Sequence, residues 1–496
     1  MFFRLTLALT FLIATPLWSG PVRLPNDTGD LTVDGELLSR DGELFRIETA
    51  FGPVTIDAGM MTCSGTGCPD PAELIVTASV GGSNALIHRL FPALLEAFAD
   101  RRKLQLSRVY IDDQTETWQL KTEDADRLVA VFDVTEMDQG DVVERVQSGD
   151  TMLGFAVTDP ETELPGDIIA LDALVPAVAP DNPRAMVTLA QLQALLTGET
   201  ESWARLGGSD APASVHVLNG AADAARWFGV AGLPQNVVRH ASEKDLADAV
   251  AQDASALGFL PFSSLGNAVP LIVSGACGLA TPATRDTIRA EDYPITLPVY
   301  LLRSGASQPK LVREFIAFAR SPAAQSLIFA AGFVDQAIGR ISFERQGGRI
   351  ANAVLTAGQD AERIADVQDM IGTLLDGARL TMTFRFRDGS SDLDPQSVSN
   401  VQRLADAISD GEFDGSQMLF VGFSDVNGDT GANLRLSERR ARAVRRAVSA
   451  RVSGSTVGLR VAAFGELMPM ACNDTPWGDR VNRRVEVWVS PSEVTR

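Results

Sequence analysis

The side chains best placed for chemistry lie near the C-terminus, where Arg440 falls on the apolar side of a predicted helix. From Ala432 to about Val452 the chain has the pattern of an amphipathic helix, and at 100° per residue one arc gathers Leu436, Ala443, Val444, Ala447 and Val448. Arg440 lies in the middle of that arc. Because an unpaired buried guanidinium is costly, Arg440 must be paired or must bind a ligand. Asp425, in the turn before the helix, is the acidic residue placed to accompany it.

Further residues recur at fixed spacing around this pair. They are Gly428, Asn433, Leu436, Ser437, Ala441, Gly465, Glu466, Pro469, Asn473 and Asn482–Arg484. This spacing resembles the OmpA C-terminal domain family over roughly residues 379–490. The resemblance implies an α+β domain that binds peptidoglycan non-covalently, in which an Asp and an Arg clamp the carboxylate and ammonium ends of diaminopimelate in the stem peptide.

Carried over to this chain, the resemblance makes Asp425 and Arg440 the clamp, with Asn433 and Ser424 as neighbouring polar contacts. Two departures from the family pattern stand nearby. Phe423 and Ser424 replace the usual His-Thr pair, and Asp479 replaces a common arginine, which alters the local charge. In the alternative interpretation, Asp425 and Arg440 form a salt bridge that only closes the start of the helix.

Length and composition describe the molecule that must hold this site. A chain of 496 residues is too long for one ordinary core, so two or three domains are expected. Its 45% hydrophobic and 22% charged content is typical of globular domains. The formal net charge of −21 argues against a nucleic-acid partner and against an anionic membrane surface.

The first residues indicate export. Arg4 precedes an apolar run from Leu5 to Leu17, which is shorter than the roughly 18 apolar residues of a membrane span. We therefore interpret residues 1–20 as a secretory signal peptide. No cysteine directly follows the run, so a lipoprotein anchor is not expected. The mature protein is expected in the periplasm, associated with peptidoglycan or the outer membrane.

The four cysteines fit an oxidising compartment. Cys63 and Cys68 flank the flexible loop Ser64–Gly67 and are predicted to form a small disulfide. The alternative, half of a zinc site, lacks nearby ligands, and no metal is predicted. Cys277 and Cys472 either pair across domains or stay as buried thiols.

Two regions precede the C-terminal domain, and a connector joins them to it. Residues 28–70 alternate apolar and polar side chains between turn residues, which predicts a small antiparallel β region linked by the Cys63–Cys68 disulfide. Residues 72–345 alternate strand and helix signals. Residues 350–377 are predicted to be a helical connector, because Ile364, Val367 and Ile371 recur at helical spacing.

The middle region carries a second, more diffuse resemblance. It rests on Gly81–Asn84, Pro180–Pro183, Leu189–Glu199, Trp203, Leu206–Gly208 and Asp292–Pro294. These residues resemble the phosphate-binding, PstS-like periplasmic binding proteins. The resemblance implies a type II periplasmic-binding-protein fold, in which two α/β lobes are joined by two crossovers and close on an anion. The whole chain is thus predicted to be a multidomain α/β protein.

Gly82, Ser83 and Asn84 are the candidate solute-binding residues. A loop that feeds a helix N-terminus offers free N–H groups and a positive dipole end, which suit phosphate or another small anion. The family's second anchor, a Ser-Arg pair, is here Thr158–Asp159, and its third, Ser-Gly-Thr, is Asn219–Ala221. With two of three contacts altered, tight phosphate binding is not expected.

Catalytic patterns are not apparent in the sequence. We find no phosphate-binding Walker loop, no helical pair of metal ligands and no nucleophile elbow, and His88, His216 and His240 are isolated. The sequence predicts a non-enzymatic protein without a cofactor. The first hypothesis is a wall-tethered solute-binding protein serving an ABC transporter or another envelope protein. The alternative is a structural tether whose middle domain has lost its ligand and binds proteins instead.

Overall fold

The computed structural model describes residues 20–26, 31–41, 44–58, 61–70, 75–112, 115–123, 127–158, 162–208, 210–219, 226–233, 237–387, 390–454 and 456–491. Apart from Gly20, the predicted signal peptide lies outside the described residues. No helix within these ranges is long and apolar enough to cross a membrane.

The strands and helices alternate along most of the chain. The strands are β1 (Pro21–Pro25), β2 (Thr32–Asp41), β3 (Leu44–Thr49), β4 (Gly52–Asp57), β5 (Val76–Gly82), β6 (Leu104–Tyr110), β7 (Thr115–Thr122), β8 (Leu128–Glu136), β9 (Leu153–Val157), β10 (Gly166–Val178), β11 (Met186–Thr188), β12 (Ser214–Leu218), β13 (Val238–His240), β14 (Ala256–Pro261), β15 (Val269–Pro270), β16 (Ile272–Ser274), β17 (Thr296–Arg303), β18 (Arg340–Ser342), β19 (Ala378–Arg385), β20 (Ser416–Gly422), β21 (Gly458–Ala463) and β22 (Arg484–Pro491). The α-helices are α1 (Phe91–Arg101), α2 (Gln139–Ser148), α3 (Leu189–Leu196), α4 (Glu243–Gln252), α5 (Arg285–Arg289), α6 (Lys310–Ala319), α7 (Pro322–Ala330), α8 (Gly347–Ala357), α9 (Ala361–Leu374), α10 (Pro395–Ser409), α11 (Thr430–Ser449) and α12 (Pro476–Asn482).

The N-terminal region is a four-stranded antiparallel sheet in the order β1-β2-β3-β4. Its small core is formed by Val22, Leu24, Leu37, Phe45 and Ile47. A disulfide joins Cys63 to Cys68 in the loop that follows, so these two cysteines do not form half of a zinc site. The predicted small β region with its disulfide is confirmed.

The middle region has two lobes that share β10. Its first half, Gly166–Ala173, pairs with β17 in lobe 1, and its second half, Leu174–Val178, pairs with β14 in lobe 2. Each lobe has its own apolar core, with α1, α6 and α7 covering lobe 1 and α3 and α5 covering lobe 2. The two-lobed α/β architecture predicted from the sequence is confirmed.

A second crossing returns the chain from lobe 2 to lobe 1. This return segment, 290–295, runs from α5 to β17. It lies against the point where β10 changes lobes, because Leu174 N donates to Ile295 O at 3.1 Å and the Tyr293 hydroxyl donates to Leu174 O at 3.1 Å. The middle of β10 and the return segment lie side by side, and together they form the hinge between the lobes.

The C-terminal domain is built on a five-stranded sheet in the order β18-β19-β22-β20-β21. Helices α10 and α11 cover one face, where Leu380, Met382 and Phe384 of β19 are buried. The opposite face is covered by the α8–α9 hairpin and by the middle domain. The segment predicted as a helical connector is therefore a helical hairpin packed on the sheet.

A second disulfide, Cys277–Cys472, joins lobe 2 to the C-terminal domain. It decides between the two alternatives that the sequence left open for these cysteines. Next to it, Ala276 N donates to the Asp474 carboxylate at 2.6 Å. The two domains are therefore linked by a disulfide bond as well as by the polypeptide chain.

Replacing both Cys277 and Cys472 by serine should lower the free energy of unfolding by about 2–4 kcal/mol, since the link restricts the unfolded chain. It spans 195 residues, whereas Cys63–Cys68 spans 5. Guanidinium unfolding followed by circular dichroism measures the change. Cys63→Ser/Cys68→Ser is the control, and its expected loss is smaller because its loop is short. A larger loss in that control would contradict the prediction.

Candidate functional site

The candidate site in the C-terminal domain lies where β20 ends and α11 begins. Asp429 caps α11 by accepting a hydrogen bond from Ala432 N at 2.8 Å. A Cβ on Gly422 would come within 2.1 Å of Ser437 O. Only glycine therefore lets the end of β20 pack directly on α11. This close packing fixes the loop that carries Ser424 and Asp425.

Arg440 is buried on the inner side of α11, with 2% of its surface exposed. Its Nη2 donates to Ser390 O at 3.1 Å, and its guanidinium lies 4.9 Å from the centre of the Phe386 ring. Both contacts belong to the loop between β19 and α10. The guanidinium is thus held between α11 and that loop, as a cation–π contact and a hydrogen bond together allow.

Asp425 forms its ion pair with a different arginine from the one expected. Its Oδ2 lies 3.0 Å from Arg483 Nη1, and its Oδ1 accepts from Asn427 N at 3.2 Å. Arg483 directly follows α12 and reaches the loop from the side, whereas Arg440 is directed toward Ser390 and Phe386. The pairing of Asp425 with Arg440 therefore stays a prediction, and the structure adds Arg483 as a partner of Asp425.

Ser424 and Asn433 lie beside Asp425. Asn433 is buried, and its Nδ2 donates to Asp425 O at 3.3 Å. Ser424 N donates to Gly465 O at 2.8 Å, while its buried hydroxyl has no hydrogen-bond partner among the described residues. Buried polar groups of this kind are normally satisfied by water or a ligand.

Sequence reasoning gave no role to three other residues at this site. Asn427 donates to Asp479 Oδ2 at 3.1 Å, Arg483 pairs with Asp425, and Phe386 supports Arg440. Arg483 was within the Asn482–Arg484 run of the motif, but Asn427 and Phe386 carried no signal. Burial raises the pKa of Asp479 above its ordinary value, and the nearby Asp425 adds to the rise.

Two carboxylates and two guanidiniums together supply the charges that would suit a group carrying both signs of charge. Asp425 and Asp479 suit an ammonium group, and Arg440 and Arg483 suit a carboxylate. No cluster of three or more His, Cys, Asp or Glu residues that could hold a metal ion occurs in the described part of the chain.

In the middle domain, a carboxylate of the protein occupies the neighbourhood of the expected anion site. Gly82 ends β5 and lies opposite Glu136 at the end of β8. Asn84 Nδ2 donates to Glu136 Oε2 at 3.0 Å, and His88 Nε2 lies 3.1 Å from the same oxygen. Ser83 O accepts from the next helical turn. Asp159, Gly220 and Ala221, from the two altered anchors, lie outside the described residues.

The two lobes touch across their cleft through Arg89. Its Nη1 donates to Ser263 O at 2.7 Å and its Nη2 to the Ser264 hydroxyl at 2.6 Å, both in lobe 2. The Glu243 carboxylate lies 3.9 Å from Arg89. Burial raises the pKa of Glu243, although the Ser264 hydroxyl and Arg89 counteract it. The cleft is therefore bridged by side chains in this structure.

The middle domain is similar in sequence to a protein named as a phosphate-binding protein. The phosphate-binding protein PstS of Borreliella burgdorferi is 20% identical over 181 residues, which is 34% of this chain and 64% of that protein. The chain spans 31% to 64% of the lengths of several curated proteins that it matches.

The C-terminal domain matches the OmpA family model over residues 385–483. The peptidoglycan-associated lipoprotein of Pseudomonas putida is 31% identical over 109 residues, 22% of this chain and 63% of that protein. The outer-membrane lipoprotein YfiB of Pseudomonas aeruginosa is 33% identical over 139 residues, 27% of this chain and 80% of that protein. Through its C-terminal domain, joined to a PstS-like middle domain, the chain belongs to the OmpA family.

Proposed function

We propose that this protein is a periplasmic protein held on the cell wall by its C-terminal domain, which binds peptidoglycan non-covalently. The ligand is the diaminopimelate residue of the stem peptide, with its carboxylate at Arg440 and its ammonium at Asp425. Ser424 and Asn433 supply further polar contacts. One observation carries the proposal: Arg440 is buried on the inner side of α11, and the loop that leads into α11 carries the Asp425 carboxylate, so both signs of charge that a zwitterionic ligand requires are present. The likeness to a peptidoglycan-associated lipoprotein supports it.

Sedimentation with purified sacculi tests this function. The full chain should sediment with sacculi that contain diaminopimelate and stay in solution with sacculi that contain lysine at the same position, because lysine lacks the second carboxylate. Free diaminopimelate tripeptide should compete for the site. Equal binding to both kinds of sacculi, or to neither, would contradict the assignment.

For the middle domain, the contacts of Glu136 favour the structural tether over a phosphate-binding protein. The Asn84 amide, which would have to meet the anion, already donates to this carboxylate. A second negative charge placed there would be repelled. In this proposal the wall keeps the two-lobed domain near a protein partner in the envelope, either a transporter or another envelope protein.

Isothermal titration calorimetry with inorganic phosphate should give no measurable heat for the full chain. Glu136→Gln should strengthen phosphate binding by about tenfold or more, since removing one charge at hydrogen-bond distance is worth on the order of 1–4 kcal/mol near a protein surface. Glu96→Gln, on the exposed side of α1, is the control and should change nothing. Micromolar phosphate binding by the unaltered protein would instead support the solute-binding function.

A further inference from the structure

The return segment of the hinge carries an unusual backbone conformation. Glu291, its second residue, has φ of +57°. For a residue with a side chain, this left-handed conformation is uncommon and persists when the surroundings impose it. What surrounds Glu291 therefore determines the path of the chain between the lobes.

Three side chains of β19, in the C-terminal domain, hold three consecutive residues of this segment. The hydrogen bonds are Thr383 Oγ1 to Ala290 O at 2.6 Å, Arg385 Nη1 to Glu291 Oε2 at 2.8 Å, and Arg379 to the two oxygens of Asp292 at 2.6 and 2.7 Å. Residues two apart on a strand point to the same face. This face of β19 is polar, and it meets the hinge rather than solvent.

These contacts are buried, which makes them difficult to open. Arg379 is 0% exposed and Arg385 3%, while Glu291 and Asp292 are each 6% exposed. Separating a buried ion pair leaves uncompensated charges in the interior, which is strongly unfavourable. The C-terminal domain is therefore attached rigidly to the hinge and is not suspended on a flexible linker.

The same strand leads directly to the candidate peptidoglycan site. Arg385, which holds Glu291, is followed by Phe386, and the Arg440 guanidinium lies against the Phe386 ring. A second connection runs through the Cys277–Cys472 disulfide. Asn482 accepts from the backbone next to Cys472, at Met470 N (2.7 Å) and Ala471 N (3.1 Å), and it precedes Arg483.

We propose that the C-terminal domain sets the angle between the two lobes by fixing residues 290–292, so that occupation of the Asp425–Arg440 site and movement of the lobes bias each other. The attachment of β19 to residues 290–292 rests on the observed contacts alone, whereas the coupling to ligand rests on the proposed wall-binding function. Coupling of this kind is reciprocal: a partner that moves the lobes would change the affinity for the wall.

The attachment of β19 to the hinge is tested by the double variant Glu291→Gln/Arg385→Gln, which removes both members of the ion pair. Spin labels attached to unnatural amino acids report the interlobe distance by pulsed electron spin resonance. One label is at Glu96 on α1 in lobe 1, and the other is at Lys244 on α4, which packs against β14 in lobe 2. The unaltered full chain should give one narrow distribution. In the variant its width should grow about twofold or more, as hinge motion is released. An unchanged distribution in the folded variant would overturn the proposal.

The matched control is Glu163→Gln/Arg387→Gln. This pair, at 2.6 Å, also joins the middle and C-terminal domains, but it is exposed and lies outside the hinge. Its removal should leave the distance distribution narrow. A broadening equal to that of the hinge variant would show that any contact between the domains suffices, and would overturn the specific role of residues 290–292.

Hydrogen–deuterium exchange on the unaltered full chain tests the coupling without any variant. A soluble diaminopimelate muropeptide should slow exchange of the backbone amides in residues 290–295 by about fivefold or more, the lower end of usual coupling strengths. Protection at residues 424–433 reports binding itself. Binding without a change at the hinge overturns the coupling alone, whereas no binding at all overturns the proposed function.

Discussion

Arg440→Ala should weaken binding to diaminopimelate sacculi by about 30-fold or more. Truncating one member of a buried, charge-assisted contact typically costs about 2–5 kcal/mol, and each 1.4 kcal/mol is a factor of ten. The buried guanidinium is the group proposed to hold the ligand carboxylate. Binding isotherms from sedimentation with sacculi measure the loss, and circular dichroism checks that the variant is folded.

The same helix offers a control with the same change in charge. Arg439 neighbours Arg440 but is exposed, so Arg439→Ala should bind as the unaltered protein does. Asp425→Ala should also release the protein, and Asp410→Ala, at an exposed position, should not. Arg483 loses its partner in Asp425→Ala, so Asp425→Asn provides a milder test of the same carboxylate. Retained binding in both Arg440→Ala and Asp425→Ala would refute the clamp.

Glu486→Gln should lower the free energy of unfolding by about 3–5 kcal/mol, the usual consequence of removing one partner from a buried ion pair. Glu486 is fully buried. Its carboxylate contacts Arg349 Nη2 at 2.5 Å, Arg484 Nε at 2.7 Å and Arg379 Nε at 3.4 Å. Without the anion, these three guanidiniums would face one another in the interior. Urea unfolding monitored by tryptophan fluorescence measures the loss.

The effect should depend on pH in a defined direction. Burial alone would raise the pKa of Glu486, but Arg349, Arg379 and Arg484 outweigh it and hold the pKa well below the ordinary value of 4.5. A carboxyl with a lowered folded-state pKa stabilises the fold above its unfolded pKa and loses that contribution as the pH falls. The difference between the unaltered protein and the variant should therefore be full above pH 4.5 and shrink in stronger acid.

Glu438→Gln is the control that shows whether removing an exposed glutamate has the same effect on stability as removing the buried Glu486. Glu438 pairs with Arg442 one turn away on the exposed side of α11. Exposed pairs contribute about 0–1 kcal/mol, so the control should change stability little. A loss below about 1 kcal/mol in Glu486→Gln would mean that the buried cluster is not held by its charges.

Periodicity was enough to predict α11, and the resemblances to the PstS-like and OmpA families implied the two-lobed fold and the C-terminal domain. A helical period and motif residues at fixed spacing are local features, which a single sequence carries. The burial of Arg440 was also readable, because the apolar arc of α11 surrounds it. Cys63–Cys68 was predictable because only four residues separate its ends.

What could not be predicted depends on which distant strands and loops become neighbours. Glu136 and Asn84 are 52 positions apart in the sequence, and they become neighbours only because β5 and β8 pair in one register. Arg483 reaches Asp425 from a separate loop. The alternation along β19 has the form of a strand with one solvent-exposed face, yet Arg379 and Arg385 are buried by the return segment. Sequence patterns show whether a face of a strand is polar, but they do not show which other part of the chain packs against it.

The disulfide between Cys277 and Cys472 has a mechanical consequence. If the C-terminal domain is anchored and the remainder of the molecule is pulled away, tension passes from the loop at Cys472 straight into lobe 2 through a covalent bond. The return segment and β19, which lie between the two cysteines in sequence but before the anchoring site, are outside that load path. The buried ion pairs there would be shielded from force until the disulfide itself is reduced.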